Sequence, residues 1–182
     1  KQIRKAMGNV ENREMFEAIV EMDETYVGGK PRKDNNNNNK RGRGTKKTPV
    51  VGVIDRAKKK IYAKVAMPNA MGKKLTGMQL LGILDEICKQ DTTIMTDEFT
   101  GYNILKKTNH IHLMIDHSKG YSDGIIHTNN VESFWATLKR GVFGVYHHIS
   151  VQYLQSYVNE FCFRYNNRKA DMFNLVLKQS IN

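Results

Sequence analysis

The segment EAIVEMDETYVGG (17–29) is rich in β-forming residues and stops at a Gly pair, so it predicts a strand ending in a turn, with Asp23 toward its C-terminal end. TPVVGVIDRAKKKIYAKVAMP (48–68) predicts two further strands about a turn at Ala57 to Lys59. The period then changes. In KKLTGMQLLGILDEICK (73–89) the apolar residues Leu75, Met78, Leu81 or Ile83, Leu84 and Ile87 recur at helical spacing and predict one amphipathic helix. TTIMTDEF (92–99) is a short strand ending in an acidic pair, GYNILKKT a short helix, and IHLMIDH (111–117) the last strand. The C-terminal third predicts helices over NNVESFWATLKRG (129–141) and SVQYLQSYVNEFCFRYNNR (150–168), the second with Ser150 as its N-cap.

Five strands interleaved with helices give an α/β order. Strands joined by hairpins pair antiparallel, and a strand reached through a helix pairs parallel, so the sheet is expected to be mixed. The 182 residues, 40% hydrophobic and 26% charged, suit a single domain over 1–182 with a core at about 17–168. No apolar run approaches the roughly 18–20 residues of a membrane span, so the expected setting is soluble and cytoplasmic. Cys88 and Cys162 form no C-x-x-C pair and read as two buried thiols.

Charge changes the picture. Lys and Arg number 29 against 18 Asp and Glu, a net +11. Twelve of the basic residues fall between Lys30 and Lys60, against the two acids Asp34 and Asp55. The stretch KPRKDNNNNNKRGRGTKK (about 30–47) is too polar and Gly-rich to pack and reads as an exposed basic loop. A polyanionic partner follows, with Lys30, Arg32, Lys33, Lys40, Arg41, Arg43, Lys46 and Lys47 as candidate DNA contacts. A solvated loop is the competing reading of these charges, and the Asn run 35–39 has no functional account.

Three acids stand at element ends where a sheet gathers distant residues: Asp23, Asp97 and Glu132. Converging carboxylates are what Mg²⁺ requires, and two ions about 3.5–4 Å apart assist in-line displacement at a phosphate. On the helix after Thr128, Val131, Phe134, Trp135 and Leu138 form a stripe that must face the core. Glu132 and Lys139 share a line beside that stripe, placing a carboxylate for metal and an ammonium for phosphate on one surface, with Arg140 as a further DNA contact. His127, with Asn129 and Asn130, precedes them as a group that could orient metal-bound water or a phosphate, although Asn at a helix start is also an ordinary cap.

The segments MDETYVGGK, KTPVVGVID, MTDEFTGY, HTNNVESFWATLKRGVFGVYHH and YVNEFCFRYNNR resemble the DDE transposases of bacterial insertion sequences, ISXO-like group, in the same order over about 17–168. The resemblance implies an RNase-H-like fold, Mg²⁺ or Mn²⁺ dependence, cleavage at transposon ends and strand transfer into target DNA by a homodimer or larger synaptic assembly. Carried over by position, Asp23 and Asp97 match the family aspartates, and the third place falls on the block holding Asn129, Glu132 and Lys139. Glu132 is preferred because a carboxylate binds Mg²⁺ better than an amide. Such transposases carry an N-terminal zinc-binding or helix-turn-helix module for end recognition, expected to lie outside these 182 residues. The competing expectations are an RNase-H-like nuclease or resolvase without strand transfer, and a catalytically silent DNA-binding relic.

Overall fold

The computed structural model describes residues 2–8, 14–28, 47–68, 75–115 and 127–181. The five expected strands are present: β1 (Ile19–Val27), β2 (Thr48–Asp55), β3 (Lys60–Val65), β4 (Thr93–Thr96) and β5 (Ile111–Met114). They form one sheet in the order β3-β2-β1-β4-β5. The hairpin-linked pairs β1/β2 and β2/β3 are antiparallel, whereas β4 and β5, each reached through a helix, run parallel to their neighbours, as the connection rule anticipates. Between β2 and β3 the chain turns at Arg56 to Lys59, with Lys59 at φ 52 and the Asp55 carboxylate accepting from Lys58 N at 2.8 Å and Glu17 N at 3.1 Å.

Helices cover both faces. Helix α2 (Gly77–Asp85) and a 3₁₀ helix (Thr100–Lys107) close Val20, Met22, Val51, Val53 and Ile94 into one core. Helices α3 (Asn129–Gly141) and α4 (Val151–Asn166) close Val27, Val50, Ile54, Ile61 and Ala63 into the other. β2, buried on both faces, is accordingly a near-continuous apolar run. The edge of β3 is blocked by side-chain amides of α4 standing in for a further strand. Asn166 exchanges bonds with Ile61 N at 2.7 Å and Ile61 O at 2.9 Å, while Gln155 accepts from Val65 N at 2.7 Å and donates to Ala63 O at 3.2 Å.

The differences from expectation lie at the ends. α2 is shorter than 73–89 because Thr76 and Gln79 build a capping box that fixes its start. Ser150 occupies the N-cap position of α4 without a side-chain cap bond. Helices α1 (Gln2–Gly8) and α5 (Met172–Ile181), and the π-helical turn Val142–Tyr146, were not anticipated. Cys88 is buried as expected, whereas Cys162 is only half-buried. The basic loop about 30–47 lies outside the described residues except for Lys47, which packs against Gly28. No helix among the described residues is long and apolar enough to cross a membrane.

Candidate active site

Sheet register brings the two aspartates together. β1 and β4 are parallel with Ile19 opposite Thr93, an offset of 93 − 19 = 74 residues, and 97 − 23 is also 74. Asp97 follows the last residue of β4, while Asp23, expected toward the end of its strand, lies at the middle of β1, which runs on to Val27 paired with β2 alone; the two carboxylates meet just past the end of the parallel pairing. Asp23, Glu24 and Asp97 each offer an oxygen, and these atoms lie within 4.8 Å of one another. Asp97 Oδ1 also accepts from Phe99 N at 3.0 Å, which fixes the turn leaving β4.

Each acid has a distinct anchor. Successive residues of a strand point to opposite faces, so Asp23 looks toward α3 and Glu24 toward the 3₁₀ helix. The Trp135 indole N–H donates to Asp23 Oδ2 at 3.0 Å, and the wholly buried Tyr102 hydroxyl donates to Glu24 Oε2 at 2.9 Å. Trp135 reaches the strand because Gly52, the β2 partner of Asp23, leaves room for its ring: a Cβ at Gly52 would stand 2.6 Å from Trp135 Cζ2.

The electrostatics are those of an unbalanced acidic pocket. Burial, then Glu24 and Asp97, push the Asp23 carboxyl from its ordinary 3.8 up to about 7, with Glu132 adding to the rise. Burial first, and Glu24, Asp23 and Asp97 after it, push the Tyr102 phenol well above its ordinary value, so it remains a hydrogen-bond donor. A dication fits this donor set, since it takes hard oxygen ligands and offsets both the burial and the neighbouring charges that raise the Asp23 carboxyl.

Glu132 lies on the exposed face of α3 in its first turn, outside the group of oxygens formed by Asp23, Glu24 and Asp97, and its Oε1 accepts from Thr128 Oγ1 at 2.8 Å. Lys139 and Arg140 are exposed in the last turn of the same helix, with Arg140 Nη2 donating to Thr137 Oγ1 at 3.2 Å. Asn129 is the exposed first residue of α3. His127 holds its Nδ1 3.3 Å from Glu21 Oε1, and its carbonyl accepts from Arg56 Nη2 at 2.6 Å. The candidate contacts Lys30, Arg32, Lys33, Lys40, Arg41, Arg43 and Lys46 lie outside the described residues.

Glu24, Trp135 and Glu21 were missed as site residues by sequence reasoning. Trp135 was assigned to the core, where it is, but a buried indole N–H needs an acceptor, and the acids of the facing strand were the available ones. Glu21 shares the face of Asp23 by the two-residue period, and an acid on a buried face demands partners.

A family model described as the ISXO2-like transposase domain matches residues 15–166. A curated protein of Haemophilus influenzae described as an uncharacterized transposase-like protein is 28% identical over 122 residues, covering 67% of this chain and 94% of the relative. Among solved structures, a chain of the simian T-cell lymphotropic virus intasome in complex with the PP2A regulatory subunit B56 gamma superposes with a TM-score of 0.51 at 12% identity. That match covers 85% of this chain, which spans only 50% of the intasome chain. The HTLV-2 integrase catalytic core domain in complex with magnesium superposes with a TM-score of 0.47 at 9% identity, over 84% of this chain and 87% of that one. At such identities the first of these likenesses speaks for the fold, and the mixed sheet in the order β3-β2-β1-β4-β5 between two helical layers is RNase-H-like. With the family model spanning most of the residues from β1 through α4, the chain belongs to the ISXO2-like transposase domain family.

Proposed function

We propose that this domain cuts DNA phosphodiesters at the ends of a mobile element and joins the freed 3′ ends to target DNA, using divalent cations held by Asp23, Asp97 and Glu132. The observation that carries the reading is the gathering of Asp23, Glu24 and Asp97 oxygens within 4.8 Å of one another, where burial first and the neighbouring acids after it push the Asp23 carboxyl up to about 7. Mg²⁺ or Mn²⁺, two ions for preference, supplies charge neutralisation at the scissile phosphate and activation of the attacking hydroxyl or water. Asp23 and Asp97 bind from the sheet, and Glu132 binds from α3. Lys139, about two turns further along the exposed face, meets a phosphate of the bound strand. The basic residues Lys30, Arg32, Lys33, Lys40, Arg41, Arg43, Lys46 and Lys47, with Arg140, hold the DNA backbone, and two copies of the chain bring two ends together.

Glu132 is favoured over Asn129 for the third position because it supplies a carboxylate, from the helix that Trp135 ties to Asp23. Glu24 is the neighbouring acid, and its alignment by Tyr102 keeps it beside the same oxygens. Incubating the chain with pre-cut element ends, target DNA and Mg²⁺ is expected to yield joined strands, and Asp97→Asn none. Nicked strands without any joined species would favour a nuclease or resolvase. DNA binding without cleavage by the native chain would favour a silent relic.

Protonation of Asp23 opposes the cation, which gives a pH dependence of definite sign. Below about 7 the Asp23 carboxyl is protonated, and a neutral carboxyl is a poor ligand. Mn²⁺ affinity is therefore expected to rise about tenfold per pH unit from about pH 5 to pH 7 and to level off above, one proton being released per binding event. Quenching of Trp135, the single tryptophan of the chain, reports the titration because its indole touches Asp23. An affinity flat across that range, with Asp23→Asn binding Mn²⁺ as tightly as the native chain at pH 8, would remove Asp23 from the ligand set.

A further inference from the structure

The Glu21 side chain is wholly buried, with 0% exposure, two residues before Asp23 on the same face of β1, and no step proposed above uses it. Its carboxylate is fully engaged, with two donors on each oxygen. Oε2 accepts from the backbone N–H groups of Asn130 at 2.9 Å and Val131 at 3.1 Å. Oε1 accepts from Asn130 Nδ2 at 2.6 Å and Arg56 Nε at 2.7 Å. Arg56 reaches on to the carbonyl of His127, so the strand, the β2–β3 turn and the chain entering α3 are tied at one point.

The start of α3 shows why such a tie is needed. Thr128 holds the N-cap position but makes no side-chain cap bond, its hydroxyl being given to Glu132 Oε1 instead. The first N–H groups of a helix need acceptors, and the buried anion of Glu21 supplies them from another element while sitting at the positive end of the helix dipole. One turn later Trp135 ties the same helix to Asp23. Glu132 therefore lies between two attachments to β1, at Asn130 and Val131 on one side and at Trp135 on the other.

We infer that Glu21 is a positioning residue for Glu132, capping α3 from the sheet so that the helical turn carrying Glu132 is held against β1. Glu21 touches neither ion nor DNA. The inference rests on the proposed role of Glu132 as a ligand, and it concerns what fixes that ligand in place. Every lone-pair direction of Glu21 faces a donor, so an amide in its place turns an N–H₂ group against either the helix start or Arg56. Glu21→Gln keeps the size of the side chain and breaks the tie.

The test is the Mn²⁺ affinity of the chain, read from Trp135 quenching, for Glu21→Gln, Glu132→Gln and the double variant. Groups that support a ligand from behind cost about 10–100-fold in metal affinity when lost, and about tenfold is expected for each single variant. The double variant is expected to bind no more weakly than Glu132→Gln alone, because Glu21 acts through Glu132. A product of the two losses, about 100-fold, or an unchanged affinity in Glu21→Gln, overturns the inference while leaving Glu132 as a ligand. An unchanged affinity in Glu132→Gln overturns the ligand assignment and the inference with it. Should Glu21→Gln fail to fold, Asn130→Ala decides the matter, since Asn130 is exposed and its side chain supplies one of the four bonds. A loss of about threefold is expected, absent in the Glu132→Gln background; an unchanged affinity, or a loss that persists in that background, overturns the inference.

Discussion

Replacing Asp23 by Asn is expected to abolish metal-dependent cleavage and joining while making the metal-free protein more stable. The loss of activity is at least about 10³-fold, because a ligand to a catalytic ion supplies several kcal/mol at the transition state and each 1.36 kcal/mol is about tenfold in rate. The gain in stability has its source in the same charge. The folded protein keeps a proton on Asp23 up to about pH 7, whereas an ordinary carboxyl releases it near 3.8. Between those values the folded state binds the extra proton, so stability falls as pH rises through that window, and the penalty is complete above it. A shift of that size corresponds to about 4 kcal/mol at most. Asp23 is partly exposed, and solvent screening reduces the expected effect to about 1–2 kcal/mol. Asn still accepts from the Trp135 indole and carries no charge against Glu24 and Asp97. The melting temperature in EDTA at about pH 8 should therefore rise by about 2–8 °C, and the difference should vanish below about pH 4. A variant that is both inactive and less stable at pH 8 would mark Asp23 as a structural acid.

That opposition of stability and function explains which parts of the molecule the sequence makes legible. The strands and the amphipathic helices follow from local period, because burial of Val20, Met22, Leu80, Leu84, Val131 and Leu138 rewards the same spacing that the chain displays. Asp97 and Glu132 stand out because they break that logic at element ends, whereas Asp23 breaks it in the middle of β1, a strand that runs further than its apolar start suggests. What no local pattern contains is register. The offset of 74 residues aligns Asp23 with Asp97 only once β1 and β4 are known to be parallel neighbours. Glu21 and Glu24 escaped notice because their partners, Asn130 and Tyr102, are far along the chain and belong to other elements. α1 and α5 escaped notice as well: α1 buries only Ala6, and α5 has Phe173, Val176 and Leu177 at helical spacing although no described side chain of it is fully buried.

The largest structural effect is expected from the smallest change, Gly52→Ala. Gly52 sits in β2 between Asp23 of β1 and Ala63 of β3, a central position where glycine weakens a strand and so needs a reason to be there. Its reason is the Trp135 ring. A methyl group at Gly52 would meet Trp135 Cζ2 at 2.6 Å, Cη2 at 2.8 Å and Val131 Cγ2 at 3.3 Å. Ordinary carbon contacts are about 3.5–4 Å, so the indole must move by about 1 Å, away from Asp23 and with α3 behind it. Overpacking of this kind costs about 1–3 kcal/mol, offset in part by the smaller freedom of Ala in the unfolded chain. The melting temperature should fall by about 2–10 °C. Turnover should fall about 10²-fold, the cost of displacing catalytic groups by about 1 Å, and the Trp135 emission should shift to longer wavelength as the ring leaves its slot. Trp135→Phe separates the two roles of the indole. In the Gly52→Ala background the smaller ring removes the clash, so stability should recover relative to Gly52→Ala alone. Turnover should not recover, because phenylalanine has no N–H to hold Asp23 Oδ2. If turnover returns with stability, Trp135 serves by packing alone and the hydrogen bond to Asp23 has no part in aligning the carboxylate.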